Sequence, residues 1–207
     1  MGYTLETWLD RIAQRTDMSS QVVHLTRDRD DAKLARVMYE IVASKTLKGS
    51  STKSGFICGK TPAVCFQDAP LVSVCQNVYY EQRYKKQNPE AKTRYRACGV
   101  AFAKPYAFKK GARPVIYEKT ADAKGYLPQD QWWRIVNFDL GNDKALVDWT
   151  HEREWRSPGD FSFDLSEATL LFVNEPTLKS FLKLCDEYDL DIMRKAKGIV
   201  TMRDLLF

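Results

Sequence analysis

The chain has 207 residues, of which 44% are hydrophobic and 12% aromatic, so it holds enough apolar side chains for a packed core. This composition excludes a disordered protein, and no apolar run approaches the roughly 18 residues that a membrane-spanning helix needs. The net charge of +5 is a mild bias toward anionic partners.

The first predicted element is a helix over residues 3–16, because Leu5, Trp8, Leu9 and Ile12 recur at helical spacing. This segment has no basic start and no long apolar stretch, so it does not resemble a secretory signal.

Short apolar strands and amphipathic helices alternate along the rest of the chain. The predicted strands cover residues 22–26, 63–66, 97–103, 113–117, 151–156 and 169–173, and residues 198–207 are predicted as a strand and a turn. The predicted helices follow a cap at Asp30 or Asp31, Pro70, Lys104 and a cap at Asn174. Residues 49–61 and 119–130 are predicted as polar loops, and residues 132–140 fit either a helix or a strand.

This mixture of elements favours an α+β fold with a compact mixed sheet over a doubly wound α/β fold. No glycine-rich phosphate-binding motif occurs, so neither a Rossmann domain nor a P-loop is supported. We expect a single domain over residues 1–207, with an amino-terminal helix within residues 1–19 and a helical extension over residues 175–207.

The cysteines are five in number and form no C-x-x-C motif, and only two histidines are present, so no metal site is predicted. Their apolar neighbours are typical of reduced core cysteines in a cytoplasmic protein.

Basic and aromatic side chains interleave over residues 79–110. The side chains chosen as candidate nucleic-acid contacts are Tyr80, Arg83, Tyr84, Arg94 and Arg96. Positive charge for phosphates and rings for base stacking are what a groove for single-stranded nucleic acid uses. The alternative is a solvated loop, which is the commoner origin of such a run.

The densest group of charged and aromatic residues lies at 147–158. On a strand, Glu152, Glu154 and Arg156 would share one face. Burying them is costly unless they pair, which indicates a polar cleft floor with a carboxylate held by an arginine. A solvated edge strand with a salt-bridge ladder is the alternative. A carboxylate in such a cleft could stabilise an oxocarbenium-like centre, as in glycosyl transfer.

Two further positions are candidates for ligand contacts. His24 and Thr26 would project from one face of a strand as a donor–acceptor pair for a ribose or an amide, unless His24 is a core residue with its own hydrogen bond. Asp68 lies where a strand meets the helix that Pro70 opens, a place that favours an anion, unless Asp68 caps that helix.

Four blocks together resemble ADP-ribosyltransferase-like toxins of the DarT kind, and related bacterial families associated with phage abortive infection. They are the His-x-Thr at 24–26, VCFQDAPL at 64–71, GVAFAK at 99–104 with GARPVIY at 111–117, and EREWR at 152–156. The resemblance covers roughly residues 20–175 and implies a split mixed β-sheet with flanking helices around an NAD cleft.

The resemblance also implies roles for single residues. His24 and Thr26 would hold the nicotinamide ribose, with Arg27, Phe66 and Asp68 as further cofactor contacts. Glu154 would be the catalytic glutamate, and Glu152 would orient the nucleophile or the ribose. The arginine that these enzymes carry in the turn after Phe66 is absent, so the cation for the NAD diphosphate is expected at Arg27 or Lys60.

The function implied is that of an NAD-dependent ADP-ribosyltransferase, a toxin or phage-defence effector that modifies DNA or RNA. NAD and a nucleic acid are the expected partners, with a cognate antitoxin or chaperone, and no metal or membrane is expected. The alternatives are a non-catalytic antitoxin or interaction protein of the same fold, an NAD glycohydrolase, and a plain nucleic-acid-binding protein.

Overall fold

The computed structural model describes residues 2–91 and 96–205. The chain divides into two compact units. The first consists of Met1–Lys45, Ala69–Ala103 and Phe163–Phe207, and the second of Thr46–Asp68 and Lys104–Ser162. Strands and helices occur in both units, and the predicted α+β class with a mixed sheet and flanking helices is confirmed.

Strands and helices alternate along the chain, with 3-10 turns between several of them. The strands are β1 (Gln21–Leu25), β2 (Thr46–Leu47), β3 (Ala63–Gln67), β4 (Gly99–Ala103), β5 (Arg113–Pro114), β6 (Ile116–Glu118), β7 (Ile135–Asn137), β8 (Glu154–Pro158), β9 (Phe161–Ser162), β10 (Thr169–Phe172) and β11 (Gly198–Thr201). The helices are α1 (Leu5–Ala13), α2 (Leu34–Ser44), α3 (Leu71–Gln87), α4 (Lys104–Lys109), α5 (Thr120–Tyr126), α6 (Glu175–Glu187) and α7 (Ile192–Lys195). Within the described residues, none of these helices has the length and apolar character that crossing a membrane requires.

The first unit contains strands in the order β11–β10–β4–β1. Strand β4 pairs antiparallel with β1 and β10, whereas β10 and β11 run parallel, so this sheet is mixed. Gly99 of β4 lies opposite Leu25. A Cβ atom at position 99 would lie 1.9 Å from the backbone oxygen of His24, so only glycine lets these strands approach so closely.

Helix α2 begins in a different way from the predicted one. Residues 29–32 form a tight turn with their own backbone hydrogen bonds, so neither Asp30 nor Asp31 reaches the helix. Asp28 instead accepts a hydrogen bond on Oδ1 from the backbone N–H of Leu34 at 2.9 Å. The predicted cap at Asp30 or Asp31 was therefore wrong.

Helix α6 begins as predicted. Asn174 Oδ1 accepts a hydrogen bond from the backbone N–H of Thr177 at 3.0 Å, and Pro176 occupies the first turn. Helices α2 and α6 pack on each other. The apolar core next to α3 in this unit contains Val23, Val74, Cys75, Val78, Ala101, Leu171 and Met202.

The second unit is built around β8, which pairs antiparallel with β3 on one side and with β5 on the other. Two smaller pairs, antiparallel β2–β9 and parallel β6–β7, belong to the same unit. The rings of Phe66 and Phe161 meet edge to face at 5.2 Å between centroids, and both side chains are buried. This contact forms part of the apolar core on one side of β3.

Three segments of the second unit differ from their prediction. The predicted loop at 119–130 contains helix α5, which buries only Ala123 and so lacks an apolar stripe. The ambiguous segment 132–140 contains both the end of a 3-10 turn (Gln129–Arg134) and strand β7. The predicted strand at 113–117 divides at Val115 into β5 and the start of β6.

The cysteines are free thiols. Cys75, Cys98 and Cys185 are buried, as predicted for core residues, whereas Cys58 and Cys65 are half-buried.

Candidate active site

The pairing of β3 with β8 brings four polar side chains to one face of the second unit's sheet. Gln67 lies directly opposite Glu154, and Cys65 lies directly opposite Arg156. Residues that face each other on antiparallel strands project to the same side, and side chains two apart on a strand do so as well. The prediction that Glu154 and Arg156 share a face is therefore confirmed.

Glu154 and Arg156 form a buried ion pair with two parallel hydrogen bonds. Arg156 Nε donates to Glu154 Oε1 at 2.8 Å, and Arg156 Nη2 donates to Oε2 at 3.1 Å. Glu154 is 8% exposed and Arg156 is 3% exposed. Such a forked contact holds the carboxylate in one position and orientation, and it places a positive charge beside the carboxylate. The sequence predicted a carboxylate held by an arginine, and the structure contains this pair.

The remaining donors of Arg156 are also bonded. Nη1 donates to the backbone oxygens of Trp133 at 2.9 Å and Ile135 at 3.1 Å, and Nη2 donates to that of Phe56 at 3.2 Å. A guanidinium has five N–H donors, so each of them has an acceptor here. Burial disfavours the charge on Arg156, but the charge and hydrogen bonds of Glu154 outweigh it and raise the pKa of Arg156.

The contact with Phe56 involves the segment 49–61, which was predicted as a polar loop. This segment includes a 3-10 turn (Thr52–Ser54) and a bridge from Ser50 to Ala63. Arg156 therefore ties the middle of this loop to the same ion pair that the sequence singled out.

Tyr117 and Cys65 complete the surroundings of Glu154. The backbone N–H of Glu154 donates to the Tyr117 hydroxyl at 2.8 Å. Burial first, and the nearby carboxylates of Glu154 and Glu152, raise the pKa of Tyr117 to about 12. Burial and the charge of Glu154 likewise raise the pKa of the Cys65 thiol well above its ordinary value. Both groups are therefore neutral beside the ion pair at neutral pH.

Glu152 does not lie on the strand. Thr150–Glu152 form a 3-10 turn, and Arg153 has a left-handed backbone with φ of 45° before β8 begins at Glu154. The predicted strand over 151–156 was thus wrong in its first half, and Glu152 does not continue the face of Glu154 and Arg156. Its half-buried carboxylate still lies near enough to raise the pKa of Tyr117.

Asp68 sits among cations rather than at a helix cap. Lys104 Nζ lies 2.7 Å from Asp68 Oδ1, Arg153 Nη2 lies 3.8 Å from the same oxygen, and the indole N–H of Trp155 donates to Oδ2 at 3.3 Å. Helix α3 has no side-chain cap, so the alternative that Asp68 caps it was wrong. Asp68 instead holds together the start of α4 and the residues around the start of β8.

Gln67 was not among the cofactor contacts predicted from the sequence. Its residue exposure is 7%, and its Nε2 atom has no hydrogen-bond partner among the described residues. Its place opposite Glu154 follows from the strand register, which alternation along residues 63–67 alone could not supply.

The other predicted cofactor contacts fall in different environments. His24 is half-buried on β1 of the first unit. Thr26 comes directly after β1 and donates its backbone N–H to the backbone oxygen of Cys98 at 2.8 Å. Arg27 is exposed. Their contact with a nicotinamide ribose stays a prediction. Phe66 is 1% exposed and packs on Phe161, which favours a core role over contact with a ligand.

The candidate nucleic-acid contacts lie mainly on α3. Tyr80 and Tyr84 are 64% and 47% exposed, and their rings are stacked with centroids 6.5 Å apart. Arg83 lies over the ring of Tyr79 at 6.0 Å. Arg96 is half-buried and forms an ion pair with Asp28 at 3.7 Å, and Arg94 lies outside the described residues.

Across residues 2–91 and 96–205, no three His, Cys, Asp or Glu side chains lie in an arrangement that could hold a metal ion.

Comparison of the chain with protein-family models, with curated proteins and with solved structures found no match in any of the three.

Proposed function

We propose that this chain is an NAD-dependent ADP-ribosyltransferase that modifies a nucleic acid and acts as a toxin or phage-defence effector. The observation that carries the proposal is the carboxylate of Glu154, buried on a central strand and held by Arg156 through two hydrogen bonds. The four sequence blocks that resemble DarT-like enzymes supply the choice of NAD.

The reaction needs a fixed negative charge beside the ribose carbon that carries nicotinamide. The bond from that carbon to nicotinamide breaks, its electron pair leaves with nicotinamide, and positive charge develops on the ribose. A carboxylate fixed before the reaction stabilises this charge without reorganisation. Arg156 occupies one acceptor position on each oxygen of Glu154, and a carboxylate has further lone pairs for a ribose hydroxyl.

The acceptor then forms a bond to the ribose carbon and loses a proton. Glu152 is a further carboxylate near Tyr117, half-buried at the turn before β8. We assign it the task of orienting the acceptor and receiving that proton. Holding donor and acceptor together supplies much of the acceleration.

The surface of α3 supports a nucleic acid as the acceptor. Tyr79, Tyr80 and Tyr84 are exposed along the helix, and Arg83, Lys85 and Lys86 accompany them. Exposed rings can stack on unpaired bases while the cations meet phosphates. A single-stranded DNA or RNA is the acceptor that this combination favours.

The decisive experiment incubates the full chain with radiolabelled NAD and a mixture of single-stranded DNA, RNA and protein. The proposal expects release of nicotinamide together with label in the nucleic-acid fraction. Nicotinamide release without label in any polymer would identify an NAD glycohydrolase instead. No release from NAD in the presence of all three acceptors would contradict an enzymatic role.

A second candidate function is that of a non-catalytic interaction protein, such as an antitoxin of the same fold. The hydrogen bonding of Arg156 favours it, because a guanidinium whose five donors all have acceptors within the protein is also how a purely structural ion pair is built. Calorimetry with NAD separates the two. The second candidate expects no heat of NAD binding and copurification with one protein encoded nearby.

A further inference from the structure

Arg113 lies on the same face as the Glu154–Arg156 pair. Strand β5 pairs with β8 so that Arg113 is directly opposite Arg156. Its guanidinium lies 3.7 Å from the centre of the Phe108 ring, and its Nη1 donates to the backbone oxygens of Phe108 and Ala112, both at 2.7 Å. These contacts fix the guanidinium plane and leave Nε and Nη2 without a partner among the described residues.

Arg134 reaches the same strand from the 3-10 turn before β7. Its Nε donates to the backbone oxygen of Pro114 at 3.2 Å, next in the chain to Arg113. Both of its Nη groups have no partner among the described residues. Burial and the neighbouring charge of Arg113 lower the pKa of Arg134, so the two like charges act on each other.

Neither arginine forms an ion pair with a carboxylate in the part of the chain that the structure describes. Other arginines do, since Arg29 and Arg36 meet Glu40, and Arg156 meets Glu154. Two neighbouring guanidinium groups repel each other, and fixing them without a counter-charge is unfavourable unless an anion completes the group.

We propose that Arg113 and Arg134 form a phosphate-binding site, and that its ligand is the diphosphate of a nucleotide. The planar fork of a guanidinium matches phosphate oxygens with two hydrogen bonds, and two such forks suit two linked phosphates. The assignment of that nucleotide as NAD rests on the proposed function. Under it, these arginines supply the positive charge for the diphosphate that the resemblance led us to expect at Arg27 or Lys60.

The strand pairing places Arg113 and Arg134 next to the ion pair that holds the carboxylate of Glu154. Arg113 faces Arg156 across one strand pair, and Arg156 holds Glu154. Arg134 lies between Trp133 and Ile135, whose backbone oxygens both accept hydrogen bonds from Arg156. A diphosphate on the two arginines would therefore lie next to the ion pair, within one unit of the fold.

The test is calorimetric titration of the full chain with ADP, inorganic pyrophosphate and adenosine. ADP and pyrophosphate are expected to bind and adenosine to bind at least tenfold more weakly. Arg113→Gln and Arg134→Gln should each weaken ADP binding at least tenfold. Lys48→Gln is the matched control, because it removes one charge from an exposed ion pair with Asp160 in the same unit and should leave ADP binding unchanged.

Two results would overturn the site. One is ADP binding of wild-type strength in Arg134→Gln and in Arg113→Gln, with folding checked by thermal melting. The other is an arginine-dependent affinity for a single-stranded oligonucleotide but not for ADP, which would assign these side chains to phosphodiesters.

The site and the proposed function fail in different ways. Arginine-dependent ADP binding without any ADP-ribose transfer would leave the site standing and contradict the function. Transfer with an unchanged KM for NAD in both arginine variants would leave the function standing and contradict the site.

Discussion

Gln67 and Glu154 lie directly opposite each other on β3 and β8, and their side chains leave the same face of the sheet. Both oxygens of Glu154 are bonded to Arg156, whereas Gln67 Nε2 is buried without a partner among the described residues. A buried amide donor that lacks an acceptor is unfavourable, so we expect Nε2 to gain an acceptor when a ligand oxygen reaches this face beside Glu154.

Replacing Gln67 with leucine separates stability from function. Removing an unpaired buried donor should leave the free energy of unfolding unchanged or raise it by about 1 kcal/mol. Transfer from NAD should fall at the same time, because the donor to the ligand is lost. Urea denaturation and labelled transfer measure the two effects, with the exposed Gln129→Leu as the control for both. A loss of stability with normal transfer would show that Gln67 has a structural partner.

Removing the arginine of the ion pair should be strongly destabilising. Arg156→Ala leaves Glu154 buried without its partner, and three backbone oxygens lose their hydrogen-bond donor. We therefore expect a loss of about 3–5 kcal/mol in the free energy of unfolding. The exposed pair of Lys48 and Asp160 is the matched control, and Lys48→Ala should cost under about 1 kcal/mol. Chemical denaturation of both variants measures the difference. Equal small losses would show that the Glu154–Arg156 pair is not buried in solution.

Much of this arrangement could be predicted from the sequence. Alternation placed Glu154 and Arg156 on one face, because two residues apart on a strand is a local relation. The register between strands is not local, so the partners Gln67 and Arg113 could not be inferred from their own segments. The break before β8 was missed because the left-handed backbone at Arg153 occurs at a residue type that rarely adopts it.

Among the helices, too, only those with a clear local sequence signal could be predicted. Helix α6 was predicted from its cap at Asn174, since capping is read within a few residues. Helix α5 was missed because it buries only Ala123 and carries a glycine, so neither an apolar stripe nor helix propensity identified it.

Gly99 should be intolerant of any side chain. In Gly99→Ala the added Cβ would meet the backbone oxygen of His24, and the two paired strands cannot separate without losing hydrogen bonds. We expect a loss of at least about 2 kcal/mol in the free energy of unfolding. Gly125→Ala is the control, because nothing lies within 4 Å of the added atom and the helix should gain about 0.5–1 kcal/mol. Thermal melts of both variants test the prediction, which a tolerant position 99 would contradict.

Alkaline pH should weaken the fold partly through Cys98. Burial raises the pKa of this thiol from 9.0 to about 12, so its neutral form is favoured in the folded state. The stabilisation is present below pH 9.0 and is lost as the pH rises toward 12. Between the two values the unfolded chain binds fewer protons than the folded one.

Urea denaturation at two pH values measures this effect. From pH ~8 to pH ~10.5 the contribution of Cys98 falls by an amount on the order of 2 kcal/mol. Cys98→Val should lose correspondingly less stability over the same interval than the wild type. An identical loss in both proteins would show that Cys98 does not ionise differently in the two states.

The most direct test compares labelled ADP-ribose transfer by Glu154→Gln with that by Glu187→Gln, an exposed glutamate of α6. Both variants are first shown to be folded by thermal melting, and Glu154→Asp serves in place of the glutamine variant if that one unfolds. We expect at least a ~100-fold loss of transfer for the Glu154 variant and wild-type transfer for the Glu187 variant. Transfer by a folded Glu154 variant at the wild-type rate would contradict it.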